Sequence, residues 1–134
     1  MRYLLDTNVL SELIRNQHGE VAKRIRRVGE AQVCTSVIVA AELRYGALKR
    51  QSAQLTERVK AILQAIEVLP FEEPAEQVYA EIRVQLEKAG EPISANDMLI
   101  AAQTMALGYT LVSDNEREFS RVGGLRLENW TRAR

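Results

Sequence analysis

The sequence predicts an α/β fold built on a parallel sheet covered by helices on both faces. Two observations carry that expectation. Short β-prone runs alternate with longer segments of helical periodicity along the whole chain, which is the pattern of parallel strands joined by helical crossovers. The length of 134 residues fits one domain, and no repeat, linker or low-complexity stretch divides residues 1–134.

The elements follow in order. A strand is expected at residues 2–5, and Asp6 is placed to cap a helix starting near Thr7 or Asn8. A second helix covers about 19–28, and the β-prone Gln32-Val33-Cys34-Thr35 leads through Ser36, an N-cap, into a helix reaching about Arg50. Leu55, Val59, Ile62, Leu63 and Ile66 recur at helical spacing, and Val68-Leu69-Pro70-Phe71 reads as a short strand. Pro74 suits a helix start, and Val78, Ile82, Leu86 and Ala89 continue that helix to Gly90. A helix from about Ala95 to Leu107 stops at Gly108, Tyr109-Thr110-Leu111-Val112 is the clearest strand, and a last strand covers Leu125 to Glu128.

Composition excludes several classes. The chain is 46% apolar and 27% charged, and no run approaches the roughly 20 apolar residues that span a bilayer. The opening MRYLLD lacks the apolar region and cleavage site of a signal peptide, so a cytoplasmic protein is expected. Cys34 is the single cysteine and is expected to be a small buried core residue. Eighteen basic and eighteen acidic residues cancel, so net charge gives no argument for a nucleic-acid partner. Basic residues nonetheless cluster at Lys23, Arg24, Arg26 and Arg27, at Arg44, Lys49 and Arg50, and at Arg117, Arg121, Arg126, Arg132 and Arg134. A solvated helix face accounts for such runs as well as a phosphate-binding surface does.

The chemistry is carried by acids. In open parallel sheets the ligand crevice lies beyond the carboxyl ends of the strands, where Asp6 follows the first strand and Ser113-Asp114-Asn115 follows the strand at 109–112. Glu42 sits among Val39, Ala40, Ala41 and Leu43, and Asp97 opens an apolar helix. Each has a plainer reading: Asp6 as a helix cap, Asp97 in a capping box with Ser94, and Glu42 on an exposed stripe beside Arg44 or Lys49. Together, three carboxylates without a basic partner make a site for a hard cation such as Mg²⁺, which takes oxygen ligands. His18 lies in a polar loop-like stretch and is assigned no catalytic role, no G-x-G-x-x-G occurs, and the scattered aromatics are assigned to packing.

The segments Leu5-Asp6-Thr7-Asn8-Val9-Leu10, Ala41-Glu42-Leu43-Arg44-Tyr45-Gly46-Ala47 and Asn96-Asp97-Met98-Leu99-Ile100-Ala101-Ala102 occur in that order. They are followed by Thr110-Leu111-Val112-Ser113-Asp114-Asn115 and Glu118-Phe119-Ser120-Arg121-Val122-Gly123-Gly124-Leu125. In this combination, over nearly its whole length, the chain resembles a PIN-domain ribonuclease of the VapC toxin type. The resemblance implies a three-layer α/β/α sandwich, cleavage of tRNA or another structured RNA with Mg²⁺ or Mn²⁺, and arrest of translation and growth. It also implies a homodimer inhibited by a VapB-type antitoxin, through which alone operator DNA is bound. The family's acidic positions fall on Asp6, Glu42 and Asp97. Its fourth site position falls on Asn115, while Asp114 is the variable residue there and a candidate metal ligand through its charge. Ser113, Thr7 and Asn8 become candidates for positioning water or phosphate, and Arg44, Lys49 and Arg117 for holding the RNA backbone. Two other classes compete: a non-catalytic interaction domain, and a phosphatase with Asp6 as nucleophile. The latter is weakened because Asn8 stands where such enzymes carry a second Asp.

Overall fold

The computed structural model of the chain describes residues 1–132, so Arg134 of the last basic cluster lies outside the described residues. The elements run β1 (Tyr3–Leu5), α1 (Thr7–Arg15), α2 (Glu20–Val28), a 3-10 turn (Glu30–Gln32), β2 (Val33–Ser36), α3 (Val37–Arg50), α4 (Ala53–Ala65) and β3 (Glu67–Leu69). They continue α5 (Ala75–Ala89), α6 (Ala95–Leu107), β4 (Thr110–Val112), α7 (Glu116–Phe119) and β5 (Leu127–Glu128). No helix among the described residues is long and apolar enough to cross a membrane.

The strands form one sheet in the order β3-β2-β1-β4-β5, every pairing parallel. The chain builds outward from β1 to β2 and β3, then returns to the other side of β1 to lay down β4 and β5. The reversal places the topological switch point, where ligand crevices open in such sheets, between β1 and β4. Register there aligns Leu5 with Val112, so Asp6 and Ser113 emerge side by side at the carboxyl edge. Leu4, Leu5, Cys34, Leu111 and Val112 are fully buried, as expected for strands covered on both faces. Burial pushes the Cys34 thiol up to about 11, so it is an unreactive core group.

Side-chain caps set the helix starts. Asp6 accepts from the Thr7 N–H, Ser36 from Ile38, Ser52 from Leu55 and Ser94 from Asp97. Gly90 and Gly108 end α5 and α6 with φ of 68° and 72°, a left-handed backbone that glycine adopts without a Cβ clash. Helix α6 buries Ile100, Ala101, Ala102, Gln103 and Thr104 in succession. The Gln103 amide donates to the carbonyls of Leu69 and Pro70 and accepts from the Ser36 hydroxyl, tying α6 to the ends of β2 and β3.

The structure differs from expectation at several edges. The strand expected at 68–71 is Glu67–Leu69, because Pro70 has no N–H to continue a ladder and its carbonyl is taken by Gln103. The last strand shortens to Leu127–Glu128, after a turn in which Gly124 has φ 84°. Helix α7 was not expected at all. Arg24, placed by the sequence in an exposed basic cluster, either solvated or phosphate-binding, is buried, with its guanidinium 5.8 Å from the Trp130 ring centroid and 3.8 Å from Glu128. Trp130 is itself fully buried against Tyr3 at 5.1 Å and donates its indole N–H to Glu128, pinning the C-terminal segment to β1.

Candidate active site

Asp6 leaves β1 directly into the switch-point crevice, its N–H bonded to the Val112 carbonyl of β4 at 2.9 Å. Only 5% of the residue is exposed. Its Oδ1 accepts from the Thr7 N–H at 2.8 Å and its Oδ2 from the Ser113 hydroxyl at 2.7 Å. Burial raises the Asp6 pKa; the bonds from Ser113 and Thr7 oppose that rise, and the charges of Glu42 and Asp114 add to it.

Asp97 stands in the first turn of α6, where its N–H donates to Ser94 Oγ at 3.2 Å. Its carboxyl is pushed up to about 6, first by burial, then by the neighbouring charge of Asp6, with Glu118 and Glu42 adding smaller amounts. Glu42 projects from α3, half-buried, and accepts from the Thr7 hydroxyl at Oε1 and from the Asn96 amide at Oε2. Being half-buried, it does not lie on an exposed stripe, and neither Arg44 nor Lys49 pairs with it; Lys49 lies instead over the Tyr45 ring, 5.8 Å from its centroid.

Ser113, fully buried, is the hub of the crevice, accepting from the Asn115 N–H while donating to Asp6. The Asn115 side-chain amide donates to Asp97 Oδ2 at 3.3 Å and to Glu118 Oε2 at 3.2 Å. Asp114 is exposed at the rim and accepts from the Asn8 amide at 3.1 Å. Arg44, Lys49 and Arg117 are exposed, and none is paired with a carboxylate among the described residues. A hollow of about 200 Å³ between α1, α3 and α4 opens beside Thr7 and Glu42, walled by Leu43, Leu55 and Val59.

Thus the structure joins Asp6, Glu42, Asp97, Ser113, Asn115 and Thr7 in one hydrogen-bonded constellation, and sets Asn8 and Asp114 as a pair at its edge. Sequence reasoning gave no role to Asn96 or Glu118. Their adjacency to Asp97 and their spacing from Asn115, respectively, were the available signals.

Among the described residues no three acidic, histidine or cysteine side chains already close round a single point. The acids adjoin one another with neutral donors from Thr7, Asn96, Ser113 and Asn115 interposed, an arrangement that limits repulsion between charges. The donor set is oxygen-rich and negative, with no Lys or Arg among the described residues bonded to Asp6, Glu42 or Asp97, which suits a hard divalent cation and not zinc. The phosphatase alternative loses ground because Asn8, in the place of the second acid, is engaged by Asp114.

The family pattern described as PIN domain matches residues 3–125. The chain is 34% identical to the tRNA(fMet)-specific endonuclease VapC of Shigella flexneri over 98% of its own length and 99% of the relative's. It is 35% identical to ribonuclease VapC2 of Haemophilus influenzae, over 97% and 98% of the two chains. Among solved structures, it superposes on VapBC2 from Rickettsia felis, bound to a promoter DNA fragment, with a TM-score of 0.88 at 34% identity, covering 97% of this chain and 99% of that one. With five parallel strands flanked by seven helices among the described residues, a switch-point crevice lined by acids, and similarity along nearly its full length, the chain belongs to the PIN-domain family, as a ribonuclease of the VapC toxin type.

Proposed function

We propose that the chain is an Mg²⁺-dependent endoribonuclease and the toxin of a VapBC-type pair, cleaving tRNA or another structured RNA to arrest translation. The observation that carries this reading is the buried Asp6 carboxylate, held by Ser113 and Thr7 beside Asp97 and Glu42 with no Lys or Arg among the described residues bonded to it. Ribonucleases of this type depend on a metal ion, and Asp6, Asp97 and Glu42 are the residues that would hold it, with Asp114 available at the rim.

A bound Mg²⁺ supplies positive charge against phosphate oxygens and acidifies water, and Mn²⁺ can take its place. The protein's own contribution is preorganisation. Ser113 and the Thr7 N–H fix both oxygens of Asp6, while Thr7 Oγ1 and Asn96 fix Glu42. The raised carboxyl of Asp97, pushed up to about 6 by burial and the neighbouring acids, reflects the repulsion in the metal-free site that a bound cation would relieve. Ser113 and Asn115 orient groups at the carboxyl edge, and Arg44, Lys49 and Arg117 are exposed cations available to RNA phosphates.

The Shigella relative is named for tRNA(fMet), which makes an initiator tRNA the first substrate to try. The proposed partners are a second copy of the chain and a VapB-type antitoxin, with operator DNA bound through the antitoxin, as the promoter-bound Rickettsia complex suggests. The hollow beside Glu42 is available to an inhibitory segment. A cytoplasmic location fits such an RNA target. The test is incubation of the purified chain with labelled initiator tRNA in Mg²⁺ and in EDTA, alongside Asp6→Asn. Cleavage that needs the ion and Asp6 is expected; cleavage that persists in chelator or in the variant excludes the mechanism.

A further inference from the structure

The sequence assigns the aromatic side chains to packing, and for all but one the structure agrees: Phe119 and Trp130 are buried, and Tyr3, Phe71, Tyr79 and Tyr109 are half-buried. Tyr45 is the exception. It is 64% exposed on α3 and meets no other ring among the described residues. Its place on the helix gives that exposure a meaning. Tyr45 follows Glu42 by three positions, so the two side chains share one helix face, with Cβ atoms about 5–6 Å apart. One turn further along, Lys49 sets its ammonium over the ring, 5.8 Å from the centroid, and Arg44 is exposed next to it in sequence. Neither cation is paired with a carboxylate among the described residues. Helix α3 therefore presents, in order, an acid of the candidate metal site, an open aromatic ring and a cation.

An RNA strand lying along α3, with its scissile phosphate at the acids, meets these groups in that order. Its phosphates need cations, whereas an unpaired base needs a flat apolar face, which an exposed ring supplies to any base because every base has a π face. Lys49 over one face of the Tyr45 ring leaves the opposite face open to a base. We propose that Tyr45 is a substrate-positioning residue of the nuclease, stacking an unpaired base beside the scissile phosphate while Lys49 takes a phosphate of the same strand. The inference rests on the ribonuclease reading above. The rival occupant of this face is a second copy of the chain, since Leu48 is also exposed on α3. Two-fold symmetry disfavours it, because an interface centred on Tyr45 sets Arg44 and Lys49 of one protomer against the same cations of its partner. The neighbouring carboxylate, Glu42, is already engaged by Thr7 and Asn96.

The test is a titration of labelled initiator tRNA, across a range of salt, against full-length Asp6→Asn, in which substrate survives, and against the same protein carrying Tyr45→Ala, Tyr45→Phe or Tyr45→Leu. Losing one stacked base weakens binding on the order of ten- to a hundredfold, so Tyr45→Ala should bind about tenfold more weakly or worse. Phe keeps the ring and should match the parent. Leu keeps apolar bulk without a π face and should fall with Ala, which a packing role would not require. The salt slope should stay that of the parent in all three, because a stacked base releases no counterions, whereas Lys49→Ala should make it shallower. Sedimentation velocity on each variant reads self-association, and circular dichroism checks that the fold survives. Undiminished affinity in Tyr45→Ala, full affinity in Tyr45→Leu, or a slope that falls with the affinity overturns the proposal. So does a Tyr45→Ala protein that sediments as a monomer where the parent is a dimer, since that assigns the ring to an interface between copies. If the parent binds no RNA, the ribonuclease reading falls and takes this inference with it. If the parent binds and every Tyr45 variant equals it, only the role of Tyr45 is lost.

Discussion

The Ser113 hydroxyl donates to Asp6 Oδ2 at 2.7 Å, joining the carboxyl ends of β4 and β1 across the switch point of the sheet. Both residues are almost fully buried, so the bond keeps a negative charge where solvent cannot. Ser113→Ala should therefore raise the Asp6 pKa further and destabilise the protein by about 1.5–3 kcal/mol near neutral pH, the range for a lost hydrogen bond to a charged group. Its Mn²⁺ binding should need a higher pH than that of wild type. A thermal melt and a pH titration of Mn²⁺ binding check both parts.

Asp97 predicts the pH dependence of the metal-free fold. Its carboxyl is pushed up to about 6, and that of Asp6 is also raised, so between the ordinary carboxylate value and about 6 the folded state binds more protons than the unfolded chain. The stabilisation is present at the acid end of that window and is lost as pH rises through it. In EDTA, Asp97→Asn should flatten this decline and melt no lower than wild type at pH 7. Saturating Mg²⁺ should reverse the ranking. At a hundredfold excess over its dissociation constant the ion adds about 2.7 kcal/mol to wild type, and the variant should lose most of that gain. Melts across pH 4.5–8 in both conditions decide it, the lower bound being set roughly half a unit above the ordinary carboxylate pKa.

How much of this was legible in the sequence depended on how local the cause was. Asp6 was readable because an apolar run, an acid and a helix start are contiguous, and cap and crevice use the same residue. Glu42 was readable as an acid out of place but not by its partners, since its bond from Thr7 spans 35 positions and sequence proximity favoured Arg44 or Lys49. Helix α7, only Glu116–Phe119, is too short for periodicity to register, and Glu118 was hidden with it. The burial of Arg24 depends on Trp130, more than a hundred positions away, so its neighbours Lys23, Arg26 and Arg27 placed it in a surface cluster.

That long-range lock yields a stability prediction separate from the chemistry. Trp130→Ala removes a fully buried ring from between Tyr3 and Arg24 and should cost about 3–5 kcal/mol, as large aromatic truncations do. Arg24→Met keeps much of the side-chain volume but loses the cation–π contact and the approach to Glu128, and should cost less than Trp130→Ala. Urea unfolding of both variants gives the order; a Trp130→Ala midpoint equal to wild type would remove the C-terminal segment from the fold's stability.

The exposed cations test where RNA lies. Arg44 and Lys49 are carried by α3, the helix that bears Glu42, and Arg117 is carried by α7 beside Glu118, so they stand on elements flanking the acids. An acidic crevice repels a phosphate backbone, and cations on its flanks are the groups able to offset that repulsion before the ion does. Each phosphate neutralised releases counterions, so log affinity should fall with log salt, with a slope of about 0.7–0.9 per contact. RNA binding is best measured in an Asp6→Asn background, where substrate survives. Replacing Arg44, Lys49 or Arg117 by Ala should weaken binding and make the slope shallower by just under one unit for each residue that touches phosphate. Arg15, held by Glu12 at 2.9 Å, is the control, and its replacement should leave the slope unchanged. If all three variants keep both the affinity and the slope of the parent, the cations belong to a solvated face and RNA reaches the acids from another side.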